Sequence, residues 1–283
     1  ENYLLENILP ADRLTASENI AGIDQFLISR NLPAVLMLIP TACAIKQQEL
    51  PANAVLYNQK ALISDTYSDL AGLVTTVDAY SALFAAKDQY TYYRTESNLT
   101  GLGGYYLYSA LASRLGLSAR PLDQFEIEHL EQDYYGDLYL RSNYRGIRPD
   151  LVTFYRFSRY DRQYLLSHTA NGETKNYYSL FPTHLALLGS PVSALLGGVG
   201  QRLDISVVSP FEESMLIFGD ETATAYLPFL AVHYGQITLV DPMQADDEQL
   251  AAIQLDDYNR VMLAFSVDYF INNPIGERLA LVP

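Results

Sequence analysis

The sequence predicts a three-layer α/β/α domain built on a mainly parallel sheet, with a small antiparallel insertion. Three observations carry this. Ala34 to Ile39 is an unbroken apolar run between Pro33 and Pro40, as expected of a central parallel strand covered on both faces. Helix-like and strand-like segments alternate up to Gly116 and again from Ser214, the pattern of a layered α/β fold. Between them, residues 123–180 are rich in Tyr, charge and turn residues and read as short antiparallel strands. They are taken as an insertion within one domain spanning 1–283, because they hold few large aliphatic residues.

Taken in order, residues 1–16 are irregular, and Ser17 is placed to cap a helix running to about Ser29. Ile20, Ile23 and Phe26-Leu27 recur there at helical spacing. Ala54 to Tyr57 is a short strand or part of a turn. Ser64 to Ala86 carries Leu70, Leu73, Val77, Tyr80 and Leu83-Phe84, which fits a helix or a helix pair. Gln89 to Tyr93 reads as a strand, followed by a polar turn. Thr100 then caps a helix that runs to about Ser113 and closes at Gly116. In the middle, Tyr139 to Ser142 and Leu151 to Tyr155 read as strands, and Asn171-Gly172 as a hairpin turn. Thr183 to Gly200 is a helix or loop rich in small residues. Ser214 to Phe218 is a strand, and a helix to about Tyr234 should hold Pro228 in its first turn. Ile237 to Asp241 is a strand, Asp246 begins a helix, and Val261 to Phe265 is a last strand.

Composition narrows the function. Hydrophobic residues make up 49% and charged residues 18%, so the chain folds around a core rather than remaining disordered. No apolar run reaches the roughly 18 to 20 residues that cross a bilayer. The chain starts Glu1-Asn2-Tyr3 without Met and reads as trimmed, any targeting segment being removed. A net charge of -15 disfavours nucleic acid and anionic membrane surfaces as partners. The lone cysteine, Cys43, rules out an internal disulfide and a cysteine-rich metal site, and it is expected to be a buried thiol. None of the four histidines has metal-ligand spacing, so no metal or cofactor is expected. The chain has 23 Tyr and no Trp. Tyr offers an apolar face with a hydroxyl, suited to half-buried strands and to stacking on sugars.

Two turns attract attention. Thr95-Glu96-Ser97-Asn98-Leu99-Thr100 leads into Gly101-Leu102-Gly103-Gly104-Tyr105, and Leu216-Ile217-Phe218-Gly219-Asp220-Glu221 leads into a helix ending at His233-Tyr234, with Val240-Asp241 beyond. The glycines lack the Lys-Ser/Thr end of a phosphate loop and the spacing of a dinucleotide fingerprint, so packing at a helix start explains them. The two motifs resemble those of the DHHW family, whose members have an SGNH-hydrolase-like, flavodoxin-like fold and are distant relatives of alginate O-acetylation proteins. Leu38-Ile39-Pro40-Thr41, Leu50-Pro51 and Tyr135-Gly136-Asp137-Leu138-Tyr139 are weaker matches. In that pattern the first motif carries Asp where Glu96 stands, the catalytic His where Asn98 stands and Trp where Leu99 stands. The second carries the Ser nucleophile where Glu221 stands.

The resemblance therefore implies a scaffold kept and a chemistry altered. An acyl-transferring serine needs a hydroxyl and a base within hydrogen-bond reach. Glu221 has no such hydroxyl, Asn98 is not a base near neutral pH, and Thr222 and Thr224 sit out of register. Glu96, Asn98, Asp220 and Glu221 become vestigial site positions, with Tyr93, Thr95, Ser97, Thr222 and Ser190 as pocket lining. Convergence of Glu96, Asp220 and Glu221 would raise their pKa values or hold a hard cation. The leading expectation is a non-catalytic, extracytoplasmic module that binds or scaffolds a glycan or cell-envelope polymer. One alternative is an active carbohydrate acyl-esterase or O-acetyltransferase using relocated or carboxylate-based residues. Another is a surface interaction protein whose cleft is closed by Leu99 and its neighbours.

Overall fold

The computed structural model describes residues 3–12, 14–130, 133–142, 144–157, 163–187, 191–198, 200–207 and 213–283. Helix α1 (Thr15–Arg30), strand β1 (Ala34–Ile39), helices α2 (Ala42–Ile45) and α3 (Gln59–Asp69), strand β2 (Val74–Thr76) and helices α4 (Ala79–Ala85) and α5 (Gly101–Leu115) form the first part. The middle holds β3 (Phe125–His129), α6 (Asp137–Ser142), β4 (Thr153–Phe157), β5 (Tyr164–Ala170) and β6 (Glu173–Tyr177). The last part is β7 (Arg202–Val207), β8 (Ser214–Gly219), α7 (Ala223–Leu230), β9 (Gln236–Val240), α8 (Asp247–Ala251), β10 (Arg260–Ser266), α9 (Val267–Asn272) and α10 (Ile275–Leu279).

Eight strands form one sheet in the order β2-β1-β10-β8-β9-β7-β5-β6, parallel from β2 to β9 and antiparallel beyond. The period-2 alternation of a strand explains the three layers. In β1, Val35, Met37 and Ile39 enter the core formed with α4, α5 and α7. Ala34, Leu36 and Leu38 enter the opposite core, under α1, α3, α9 and α10. All six residues are buried, which is why β1 is a continuous apolar run.

The middle divides between two sheets. Strands β3 and β4 pair by themselves, whereas β5 and β6 extend the main sheet through β7. Asn171 and Gly172 turn the β5–β6 hairpin with φ of 51° and 76°, the left-handed geometry that a two-residue turn requires.

Several boundaries differ from the sequence reading. The helix expected from Ser17 starts at Thr15, and the Ser17 hydroxyl donates back to Leu14 O at 2.7 Å. The helix pair flanks a strand, β2, and Ala54 to Tyr57 forms no strand. Gln89 to Tyr93 is not a strand either. Its backbone pairs with the residues just beyond it, through a Tyr92–Leu99 bridge and a Tyr93 N–H bond to Asn98 O at 3.2 Å. Tyr139 to Ser142 is helical, because the Tyr139 N–H is taken by Thr95 O and the Leu140 N–H by Gly136 O. Pro228 lies late in α7, since that helix ends at Leu230 rather than Tyr234. Thr183 to Leu187 and Pro191 to Ala194 are single 3-10 turns.

Candidate functional site

The parallel strands β1, β8 and β10 end on the same edge, where open α/β sheets build their sites. Residues at the strand ends form the floor of a cleft: Thr41, Ala42 and Cys43 after β1, Asp220 and Glu221 after β8, Ser266 at the end of β10. The cleft has a volume of about 240 Å³. Ser97, Asn98 and Leu138 close it on one side, and Asp268, Tyr269 and Asn273 of the α9 region on the other. Five acids, Glu6, Asp220, Glu221, Asp241 and Asp268, line it, and no Lys, Arg or His is among its described walls.

The first turn is held by Asp150, which sequence reasoning missed. This buried carboxylate accepts from Arg94 N–H at 2.6 Å, from Thr95 N–H at 2.8 Å, and from the Thr95 and Tyr90 hydroxyls. Asp150 lies far away in sequence, in an isolated antiparallel bridge with Tyr134, and left no local signal. Below it, Thr100 caps α5 by accepting from Gly103 N–H at 3.2 Å, and Gly116 ends that helix at φ 71°. Two glycines let α5 pack closely. A Cβ on Gly103 would stand 2.1 Å from Thr91 O, and one on Gly104 would stand 1.9 Å from Ala225 O of α7. Helix-start packing is therefore what the Gly-rich stretch does.

The second turn is held by Asp220, whose carboxylate accepts from Thr222 N–H at 3.0 Å, from the Thr222 hydroxyl, and from Ser266 N–H at 2.8 Å. Burial pushes its pKa up, against those hydrogen bonds. Thr224 donates to Glu221 O at 2.8 Å. Both threonine hydroxyls are thus spent on the turn. Asp241, at the end of β9, accepts from Met243 N–H at 2.9 Å and from the Tyr269 hydroxyl.

The two turns meet. Asn98 Nδ2 donates to Glu221 O across 3.4 Å, a long hydrogen bond, while Asn98 Oδ1 accepts from Leu99 N–H at 2.7 Å. Glu221 is exposed at the cleft mouth, and among the described residues its carboxylate accepts no hydrogen bond. Withdrawal from bulk water inside the concave rim, then the fields of Asp220, Glu96, Asp137 and Asp241, push its pKa up to about 7.

Glu96 is brought near but does not line the cleft. Its carboxylate turns outward to the Tyr134 hydroxyl, Ser97 N–H at 3.1 Å and Asp137 N–H at 3.3 Å. Burial and a hydrogen bond with the Asp137 carboxyl raise its pKa, while the same pairing and Arg141 lower that of Asp137. Gly136 allows this stacking, since a Cβ there would fall 2.6 Å from Glu96 Cβ. The expected three-acid convergence thus reduces to Asp220 and Glu221, with Glu96 acting from behind. Among the described residues no group of three Asp, Glu, His or Cys is arranged to hold a metal ion.

Of the expected lining, Ser97 and Thr222 face the cleft. Tyr93 and Thr95 do not, being 1% and 0% exposed within the core beneath the turn. Ser190 lies outside the described residues. Leu99 is also core and leaves the cleft open. Cys43 is a buried thiol in the cleft floor, within 3.2 Å of Thr41 Oγ1. The histidines sit elsewhere: His233 bonds the Tyr108 hydroxyl at 2.8 Å, His129 bonds Thr153 at 2.9 Å, His168 lies on β5 and His184 packs near Tyr177.

Comparison with solved structures gives the same architecture. A DHHW family protein from Eubacterium siraeum superimposes with a TM-score of 0.78 at 21% identity, over 97% of this chain and 90% of that one. Bacillus cereus PatB1 gives a TM-score of 0.79 at 15% identity, over 98% and 97%. Pseudomonas aeruginosa AlgX gives 0.53 at 15% identity, over 99% of this chain and 62% of that one. Comparison with curated proteins returns no match. The family model described as DHHW protein matches residues 9–240, most of the chain and both turns. The chain belongs to the DHHW family.

Proposed function

We propose that the chain is a glycan-binding member of the DHHW family that has lost serine-hydrolase chemistry and serves cell-envelope glycan modification, outside the cytoplasm, as a binding or scaffolding component. One observation carries the reading. Asn98 and Glu221, standing where the family pattern has base and nucleophile, face each other in a cleft that is still open. The cleft contains hydroxyls but, among its described walls, no histidine to activate them, and general-base activation is what a serine or threonine nucleophile requires. There remains a wall of Asp, Glu, Asn, Gln, Ser and Thr groups, the acceptors and donors that sugar hydroxyls pair with. The family's kinship with alginate O-acetylation proteins supports a carbohydrate as the ligand.

The five carboxylates argue for a class of glycan. Glu6 is bridged to Arg141 at 2.8 Å. The other four, with no salt bridge among the described residues, disfavour polyuronates and phosphate-bearing polymers and suit neutral backbones or backbones carrying free amino groups. Calorimetric titration with chitosan hexamer, chitohexaose and oligoguluronate tests this. Affinity is expected to fall in that order, with no heat from the oligoguluronate. Preference for the oligoguluronate would contradict the reading.

A second reading has its own observation. A carboxyl pushed up to about 7 is matched to general acid–base work near neutral pH, so Glu221 suits a carboxylate-based acyl-esterase. Release of acetate from O-acetylated chitohexaose, abolished in Glu221→Gln, would favour this second reading over the first.

A further inference from the structure

Helix α6 forms one side of the cleft, and its outer face has no role in the site so far described. Leu138 points inward and is part of the cleft wall. The helix is clamped to the first turn by Tyr139 N–H to Thr95 O at 3.2 Å and by Ser97 N–H to the Asp137 carboxylate at 3.1 Å. Tyr135 and Tyr139, four residues apart, pack against each other with ring centroids 4.3 Å apart and planes tilted by 35°. The Arg145 guanidinium lies over the Tyr139 ring at 4.7 Å. Leu140 and Tyr144, 72% and 56% exposed, lie in the same segment. Most tyrosines described in this chain are buried or half-buried, Tyr139 among them, whereas Tyr135 is 36% exposed at the surface.

We infer that this Tyr135–Tyr139 pair is an outer subsite that stacks against the pyranose rings of a glycan chain whose end occupies the cleft. The inference rests on the glycan reading of the cleft and deepens it, making the ligand an oligosaccharide longer than the cleft can hold. Tyr139, covered by Tyr135 and Arg145, backs the Tyr135 ring. Tyr135 presents the apolar face that the C–H side of a pyranose covers, with its phenol hydroxyl available to ring hydroxyls. Arg145 holds the Tyr139 ring in place by a cation–π contact. Continuity favours this occupant over any other: the short segment 135–139 carries the cleft wall at Leu138 and, on either side of it, the two tyrosines, Tyr139 on α6 and Tyr135 just before it.

The test compares chitobiose with chitohexaose by calorimetry, on the whole chain. Chitohexaose should bind the unaltered protein about tenfold more tightly than chitobiose, the gain of one or two stacking contacts. In Tyr135→Ala/Tyr139→Ala that ratio should fall to near one, with an unchanged melting temperature showing that the fold is kept. Arg145→Ala, which leaves both rings, should lower the ratio about threefold and covers the case in which the double variant fails to fold. An unchanged ratio in both variants overturns the subsite. So does a double variant that keeps the ratio but loses a self-association seen in the unaltered chain, which would assign the patch to a second copy. Absence of binding by either sugar contradicts the cleft reading itself, and takes the subsite with it.

Discussion

The two turns that meet at the cleft hold their acids in opposite ways. Asp150, under the first, is buried and accepts from two backbone N–H groups and two hydroxyls. The Glu221 carboxylate, at the tip of the second, accepts from no described residue, and Glu221 lines the cleft. A carboxylate saturated by donors is a structural joint, because its removal strands those donors. A carboxylate left without donors and surrounded by like charge is free to take a proton or a ligand. Asp150 and Asp220 are therefore fixed by many contacts, while the Glu221 carboxylate is fixed by none among the described residues.

The largest effect should come from the scaffold. Gly104→Ala puts a Cβ 1.9 Å from Ala225 O, a clash between two helix backbones that neither can relieve alone. A loss of about 3 kcal/mol or more is expected in urea unfolding. Asp150→Ala should cost about 3 kcal/mol by the same measurement, since two backbone N–H groups lose their acceptor. A cost below about 1 kcal/mol there would show that water replaces the carboxylate and would erase the contrast between the turns.

Much of this scaffold was legible in the sequence. Pro33 and Pro40 bracket β1, Thr100 and Gly116 bracket α5, and Asn171-Gly172 turns a hairpin, each through local chemistry that reads directly. Strand β7 was legible but passed over: Arg202-Leu203-Asp204-Ile205 alternates, and Leu203 and Ile205 are buried. The Gln89–Tyr93 run misled because β-prone side chains served another purpose, with the Tyr92 hydroxyl reaching Pro40 O at 2.6 Å and the Tyr93 ring buried. In the site, the two motif turns located Asn98, Asp220 and Glu221. Asp241 closes the second motif as quoted, whereas Glu6 and Asp268, which complete the cleft, come from two other segments that no sequence spacing joins to it.

Smaller effects sharpen the contrast. Glu221 titrates at about 7 in the folded chain against an ordinary 4.5, so between those values the folded state keeps a proton the unfolded state has released. Stability should therefore fall as pH rises from about 4.5 to about 7. Glu221→Gln should remove that part of the slope and be the more stable form at pH 8, by at most about 1 kcal/mol given the exposure of the side chain. Thermal melts across this range check it, and an unchanged slope would mean that neither withdrawal from water nor the neighbouring acids act on Glu221. Thr100→Ala, which removes the cap of α5 and the hydroxyl's hydrogen bond to Tyr90 O at 2.6 Å, should cost about 1 to 2 kcal/mol in urea unfolding.

The most direct test of a cleft kept for binding and not for ester chemistry is one mass-spectrometric time course. O-acetylated chitohexaose is incubated with the protein at neutral pH, and both sugar and protein are weighed. The account predicts a noncovalent complex, an acetyl count on the sugar that does not change, and no acylated protein. Loss of acetyl groups that stops in Glu221→Gln, or an acetyl group carried on the protein, would contradict it and make the cleft an active site.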